Sequence, residues 1–355
     1  MGNIITGIQQ IGIGVSNFRE AWNWYIQNFH MNVKIFEEEA VAELMLPHTE
    51  GKTRKRIACL AINMEGGGGF EVWQHTGKEP TPRQDQLLAG ELGINYGKMK
   101  TRNIQGAYDD LKEKGVEVLG SINTNPAGEN HFFARDPYKN IFEFVETQAS
   151  FKHENPNGGT YGAIIGVENM DESLPVYQDI LEYDQVVFDK TGTFDDLKSL
   201  PGGNEAFRRV LLRHSQPKKG AFSPLLGQTE IELIEAKDRK TSGVFEGRIW
   251  GDPGFIHLCF DIQSMEKMRN RCEKKGFPFT VDSQKDNPTF DMGEAAGSFS
   301  YIQTPEGTLI EFVETHKVPV VKKWKWHVNL KNRDSQKELP RFMLKALGMN
   351  KVKKV

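Results

Sequence analysis

Four glutamates stand at the centres of apolar, strand-like segments: Phe70-Glu71-Val72-Trp73, Phe142-Glu143-Phe144, Ile231-Glu232-Leu233 and Ile310-Glu311-Phe312. A carboxylate turned toward an interior carries a desolvation cost unless a cation or a partner neutralises it. Such a group can hold a cation or act as a general base. The recurrence is not confined to the glutamate. Ile141-Phe142-Glu143-Phe144-Val145-Glu146-Thr147 returns as Leu309-Ile310-Glu311-Phe312-Val313-Glu314-Thr315, 311 − 143 = 168 positions later. A segment repeated at that distance marks a duplicated unit.

The elements that must carry these glutamates repeat as well. Ile11-Gly12-Ile13-Gly14-Val15-Ser16-Asn17 recurs as Ala163-Ile164-Ile165-Gly166-Val167-Glu168-Asn169, and Tyr25 and Tyr177 keep the same offset, 177 − 25 = 152. Helical segments match between Ile104 to Lys112-Glu113-Lys114-Gly115 and Met265 to Glu273-Lys274-Lys275-Gly276. The alternation of periods predicts four modules, each a strand, a helix and further strands, at roughly 5–80, 92–148, 159–240 and 253–316. Asn155-Pro156-Asn157-Gly158-Gly159 reads as the linker between two halves.

Composition fits two domains of ordinary size: 355 residues, 38% hydrophobic. No apolar stretch approaches the ~20 residues that span a bilayer, and the start has no basic region followed by an apolar run. Met1-Gly2-Asn3-Ile4-Ile5-Thr6 fits a loose myristoylation pattern, but a strand begins almost at once. Cys59, Cys259 and Cys272 form no metal-type spacing, and so few thiols point to a reducing compartment, hence the cytoplasm. Residues 317–355 hold 12 Lys+Arg against 2 Asp+Glu, a net of +10, which leaves −3 − 10 = −13 for the body. An acidic body argues against nucleic acid as a main partner. The tail reads as a docked extension, with an alternating strand from Val320 to Val328 holding Trp324 and Trp326. A capping box, Ser335-Gln336-Lys337-Glu338, then opens a helix that Gly348 stops.

The four modules, the Lys-Glu-Lys-Gly helix end, and the turns Asp136-Pro137-Tyr138-Lys139-Asn140 and Thr304-Pro305-Glu306-Gly307 ahead of the glutamate strands resemble the vicinal oxygen chelate superfamily over residues 5 to 316. That superfamily takes in glyoxalase I, fosfomycin-resistance proteins and extradiol dioxygenases. The resemblance implies an α+β fold of four βαβββ modules paired into two glyoxalase-like domains, 1–150 and 159–316, with 317–355 as a basic C-terminal extension. It also implies metal ligands on the first and last strands of modules. Carried across, the positions are Gln10 and Glu71, Tyr96 and Glu143, Gly162 and Glu232, His257 and Glu311. Within the C-terminal half the resemblance puts a divalent metal (Zn, Ni, Co, Mn or Fe) on Glu232, His257 and Glu311, with Gly162 leaving a fourth position to water or a substrate oxygen. One imidazole and two carboxylates suit such an ion. The N-terminal set has no imidazole and reads as a structural partner, although Gln10, Glu71 and Glu143 could hold a weak ion.

Three functions stay open at this level. A glyoxalase-like lyase or isomerase would use Glu311 or Glu232 to move a proton next to a carbonyl of a small oxygen-rich substrate. A ring-cleaving dioxygenase on iron is suggested by Tyr301, ten positions before Glu311, but Gly162 stands where its first histidine would be. A metal-free sequestering protein would need no carboxylates at three ligand positions. A homo-oligomer is compatible with each. The remaining histidines, His75, His131 and His214, and Arg208, Arg209 and Arg213 read as strand or surface residues that could also meet a substrate. Asp189 to Glu205 reads as a rim loop or lid, and Gly66-Gly67-Gly68-Gly69 as a hairpin connection rather than a phosphate cradle.

Overall fold

A computed structural model of the chain describes residues 4–286, 297–321, 326–331 and 333–355. Each module has four strands. In chain order these are β1 (Ile5–Gly14), β2 (Val33–Val41), β3 (Lys55–Ile62) and β4 (Gly69–His75); β5 (Gly93–Thr101), β6 (Glu117–Thr124), β7 (Asn130–Arg135) and β8 (Ile141–Glu146). The third and fourth modules supply β9 (Asn157–Gly166), β10 (Gln185–Gly192), β11 (Phe207–Arg213) and β12 (Glu230–Ala236), then β13 (Gly254–Ile262), β14 (Val281–Asp282), β15 (Gly297–Gln303) and β16 (Leu309–Thr315). The tail adds a separate pair, β17 (Lys317–Val321) and β18 (Trp326–Asn329).

Each module's helix begins at a polar cap one turn after the first strand. Asn17, Asn103, Asn169 and Ser264 accept backbone N–H bonds from Glu20, Gly106, Asp171 with Glu172, and Lys267, which satisfies amides that the helix leaves without partners. The Lys-Gly endings are helix stops: Gly115 and Gly276 lie at φ 75° and 82°, where a side chain would be strained. In the first module's helix (Phe18–Phe29), Phe18, Trp22, Tyr25 and Phe29 turn one face inward.

The described strands form two eight-stranded sheets, and their membership crosses the halves of the chain. One runs β14-β15-β16-β13-β1-β4-β3-β2 and the other β10-β11-β12-β9-β5-β8-β7-β6. The first module therefore pairs with the fourth, and the second with the third. The sheets are built across residues 1–150 and 159–316 rather than within them. The joints are antiparallel pairs of first strands, β1 with β13 and β5 with β9, while each glutamate strand lies parallel to its own first strand. The convex faces and helices of both sheets share one core, in which the Phe70 and Phe142 rings stack with centroids 5.4 Å apart and Phe255 meets Phe142 edge-on.

The tail departs from its sequence reading in two ways. The alternating segment is not one added strand but the two strands β17 and β18, and Trp324 lies outside the described residues. The last helix starts at Arg341 behind Pro340, not at the Ser335 capping box, because proline has no N–H to give inside a helix and suits its beginning. The docking itself agrees with the sequence reading: Val318, Leu339, Leu344 and Leu347 pack with Val33, Ile35, Leu60 and Ile62 on the first sheet.

Candidate metal centre

Gln10 on β1, Glu71 on β4, His257 on β13 and Glu311 on β16 converge on the concave face of the first sheet. One ligand atom each from Glu71, His257 and Glu311 lie within 4.8 Å of one another. His257 Nε2 is 3.1 Å from Glu71 Oε2 and 3.3 Å from Glu311 Oε2. The Gln10 amide donates to the same two oxygens, at 3.2 and 3.4 Å. His257 is fully buried and Glu311 is 7% exposed, while the Glu71 side chain keeps 12% of its surface. The joint that builds this site is close: an ideal Cβ on Gly12, the β1 partner of His257, would stand 2.6 Å from Nε2.

Hydrogen bonding behind the imidazole decides which nitrogen is free. The Tyr301 hydroxyl lies 3.4 Å from His257 Nδ1, so it can accept from Nδ1–H. That leaves Nε2 as the nitrogen turned toward the two carboxylates, buried without a hydrogen-bond partner. This is how a neutral imidazole is presented to a metal, with the far nitrogen fixing tautomer and ring orientation. Trp250 lies nearly parallel to the ring at 6.4 Å.

The electrostatics show what the cluster lacks. Burial pushes the His257 pKa down, but the carboxylates of Glu311 and Glu71 outweigh it and hold the pKa above the ordinary value. Glu311 is raised by its burial, with His257 pulling back and Glu71 adding to the rise. Glu311, facing Glu71 across this point, thus binds a proton more readily than an ordinary glutamate. A cation at that point would displace the proton. One nitrogen and two carboxylate oxygens suit a hard or borderline divalent ion. A cavity of about 170 Å³ lined by His48, Trp250, Ile256 and Leu309 lies on the Trp250 side. One of about 80 Å³, lined by Gln9, Leu60, Ile62, Val313 and Leu347, lies on the tail side.

Glu232 is not part of this cluster. It sits on β12 in the second sheet, with its Oε1 2.6 Å from Arg209 Nε and its Oε2 3.3 Å from Lys98 Nζ. The trio read from the C-terminal half fails because that half does not close a sheet on itself: β13 takes β1 as its neighbour, and Glu71 replaces Glu232. Tyr96 is buried against Phe133. A Cβ at Gly162 would stand 1.8 Å from the Glu230 carbonyl oxygen, so that glycine answers to backbone packing. The sequence reading had Gln10 and Glu71 at ligand positions but in the wrong partnership. Lys98, a cation in a strand buried along its whole length, was an unused signal that the Glu232 side was already neutralised.

The other candidates have structural places. His131 Nδ1 lies 2.6 Å from Glu143 Oε1. His214 stacks on Tyr183, with burial pushing its pKa to about 4. His75 packs edge-on against Trp73 near Asp252. Arg209 lies on β11 as a strand arginine but is fully buried between Glu232 and Asp196 rather than solvated, while Arg208 meets Asp171 and Asp189 and Arg213 meets Glu129 and Glu230. The Asp189–Glu205 segment places Asp196, Leu197 and Leu200 over the second sheet.

Glyoxalase I from Zea mays has the same fold, with 10% sequence identity, a TM-score of 0.53, and 87% of this chain and 92% of that one covered. A Bacillus subtilis protein provisionally named a dioxygenase is similar, with 13% identity, a TM-score of 0.55, and 88% and 86% covered. At such identities the likeness shows the fold alone. No curated protein matches the chain significantly. Among the described residues no helix is long and apolar enough to cross a membrane. The profile of the glyoxalase/bleomycin resistance protein/dioxygenase superfamily matches residues 7–144 and 162–312, and the chain belongs to that superfamily.

Proposed function

We propose that the chain is a metal-dependent enzyme of the glyoxalase-like lyase or isomerase type, holding one divalent ion through Gln10, Glu71, His257 and Glu311. The observation that carries this reading is the meeting of Glu71 and Glu311, from two further strands, around the unpartnered Nε2 of His257, with the Gln10 side chain beside them. A divalent ion there would polarise the carbonyl of a small oxygen-rich substrate. Glu311 is the proton carrier. Its burial beside Glu71 raises its affinity for a proton. Glu71, the most exposed of the set, borders the substrate side. Gln10 bridges the two carboxylates, donating from one amide to both.

The donor set speaks against the ring-cleaving dioxygenase, since the cluster offers a single imidazole. It also speaks against a metal-free sequestering role, because three buried polar donors are a poor lining for an apolar ligand. Burial of all three cysteines as free thiols supports a reducing, cytoplasmic location.

The test combines elemental analysis with proton exchange. The purified protein should hold about one transition-metal ion per chain, and His257→Ala and Glu71→Gln should lose it while Glu232→Gln keeps it. With metal bound, the enzyme should exchange deuterium from solvent into the carbon next to a carbonyl of small 2-hydroxy- or 2-oxo-carbonyl compounds, and Glu311→Gln should not. Metal content unchanged in His257→Ala and Glu71→Gln would end the proposal.

A further inference from the structure

The second sheet repeats the geometry of the metal centre with a different cation in it. Strand register fixes the equivalence. On the first sheet Gly12 stands beside Glu71, and on the second Lys98 stands beside Glu143. Two residues earlier come Gln10 on β1 and Tyr96 on β5. On the partner strands, His257 lies two before Cys259, which faces Glu311, and Gly162 lies two before Ile164, which faces Glu232. Glu143 and Glu232 are therefore the counterparts of Glu71 and Glu311, and Tyr96 and Gly162 those of Gln10 and His257.

In the first sheet one oxygen from each glutamate approaches His257 Nε2, at 3.1 and 3.3 Å. In the second, one oxygen from each approaches Lys98 Nζ, at 2.9 and 3.3 Å, and Glu230 Oε1 adds a third contact at 2.6 Å. Lys98 and all three carboxylates are essentially without exposed surface. Where the first sheet has Gly12, whose missing side chain leaves room for the His257 ring, the second has Lys98, whose ammonium stands among the carboxylates.

We propose that the Lys98 ammonium is the resident cation of a second, metal-type site, built into the chain in place of an ion, so that the protein has one divalent-ion position rather than two. Removing the ammonium converts this pocket into a second site for a hard divalent cation, with Glu143, Glu230 and Glu232 as ligands and His131, 2.6 Å from Glu143, as the neighbouring imidazole. Arg209 and Arg213 take the outer oxygens of Glu232 and Glu230, and the inner oxygens that meet Lys98 need a replacement charge of the same sign in the same place. The parallel rests on the reading of Gln10, Glu71, His257 and Glu311 as a metal set, whereas the position of the ammonium does not.

The experiment counts Mn²⁺ bound per full-length chain by equilibrium dialysis and elemental analysis, and follows the thermal midpoint against Mn²⁺ concentration. The chain with Lys98 intact and the double change His257→Ala, Glu71→Gln should hold no Mn²⁺. Lys98→Met in the otherwise unchanged chain, purified with Mn²⁺ present, should hold one ion more than the parent, and its thermal midpoint should climb with Mn²⁺ in a range where the parent is already saturated. Lys98→Met combined with Glu230→Gln, which removes one of the proposed ligands, should bind the added ion at least tenfold more weakly than Lys98→Met alone. An ion retained by the double variant with Lys98 intact would overturn the proposal. So would Lys98 variants that gain no ion, or that fail to fold even with Mn²⁺ supplied. A parent chain that binds no Mn²⁺ would count against the first centre, and the gain on removing Lys98 would still decide the second.

Discussion

Gly12 and His257 face each other across the β1–β13 joint, and the imidazole occupies the space that a side chain at position 12 would need. Gly12→Ala should push the ring off its line to Glu71 and Glu311. The expected outcome is at least a tenfold weaker affinity for Mn²⁺ by titration calorimetry, with a stability loss of about 1–3 kcal/mol from overpacking. Unchanged affinity would mean that His257 does not bind metal from this position.

Glu232 and Glu71 occupy equivalent places and should respond in opposite ways. Glu232→Gln leaves the buried guanidinium of Arg209 and the Lys98 ammonium short of a partner, so it should cost about 3–5 kcal/mol in urea unfolding with metal content unchanged. Glu71→Gln, at a partly exposed side chain, should remove the metal at a smaller cost in stability. Reversal of the two patterns would exchange the roles of the sheets.

Lys100 gives the fold a dependence on alkaline pH. Its side chain is buried beside Gly67, Gly158 and Gly227, and burial lowers its pKa to about 8. The unfolded lysine keeps its proton to about pH 10.4. Between about 8 and 10.4 the unfolded chain therefore binds more protons, and this group makes stability rise with pH, its full penalty being present below 8. Lys100→Met should stabilise the protein at pH 7 by up to about 3 kcal/mol, the equivalent of a shift of roughly two units, and should flatten the thermal midpoint across that window. Parallel pH curves for the two proteins would refute the assignment.

The basic tail should contribute to stability through its apolar face. Leu344 is 1% exposed against the first sheet, while Phe342 is 62% exposed. Leu344→Ala should cost about 2–5 kcal/mol and Phe342→Ala less than about 0.5 kcal/mol, measured by urea unfolding monitored by tryptophan fluorescence. A tail that merely rests on the body would show no difference between them.

The four modules were legible because their features are local. An asparagine or serine cap, a glycine stop and a glutamate between apolar residues each leave a mark within a few positions of the chain. The resemblance of the repeated modules to the superfamily also put Gln10, Glu71, His257 and Glu311 at ligand positions, although not as one set. The tail helix was misplaced because Pro340 overrides a capping box five residues earlier. Lys98 could have been read as a neutraliser of the Glu232 side, since a charge inside a strand of buried residues needs opposite charge nearby.

The sequence by itself determined which residues lie on first and last strands, and so which side chains can face a concave interior. Only the tertiary structure decided which interiors they share. Every first strand presents an unpaired edge of N–H and C=O groups that any other such strand can satisfy, and nothing local distinguishes β1 joined to β13 from β1 joined to β5. The choice is made by the collective burial of both convex faces in one core and by the balance of buried charge. Glutamates with an imidazole fall together on one sheet, and glutamates with a lysine and an arginine on the other.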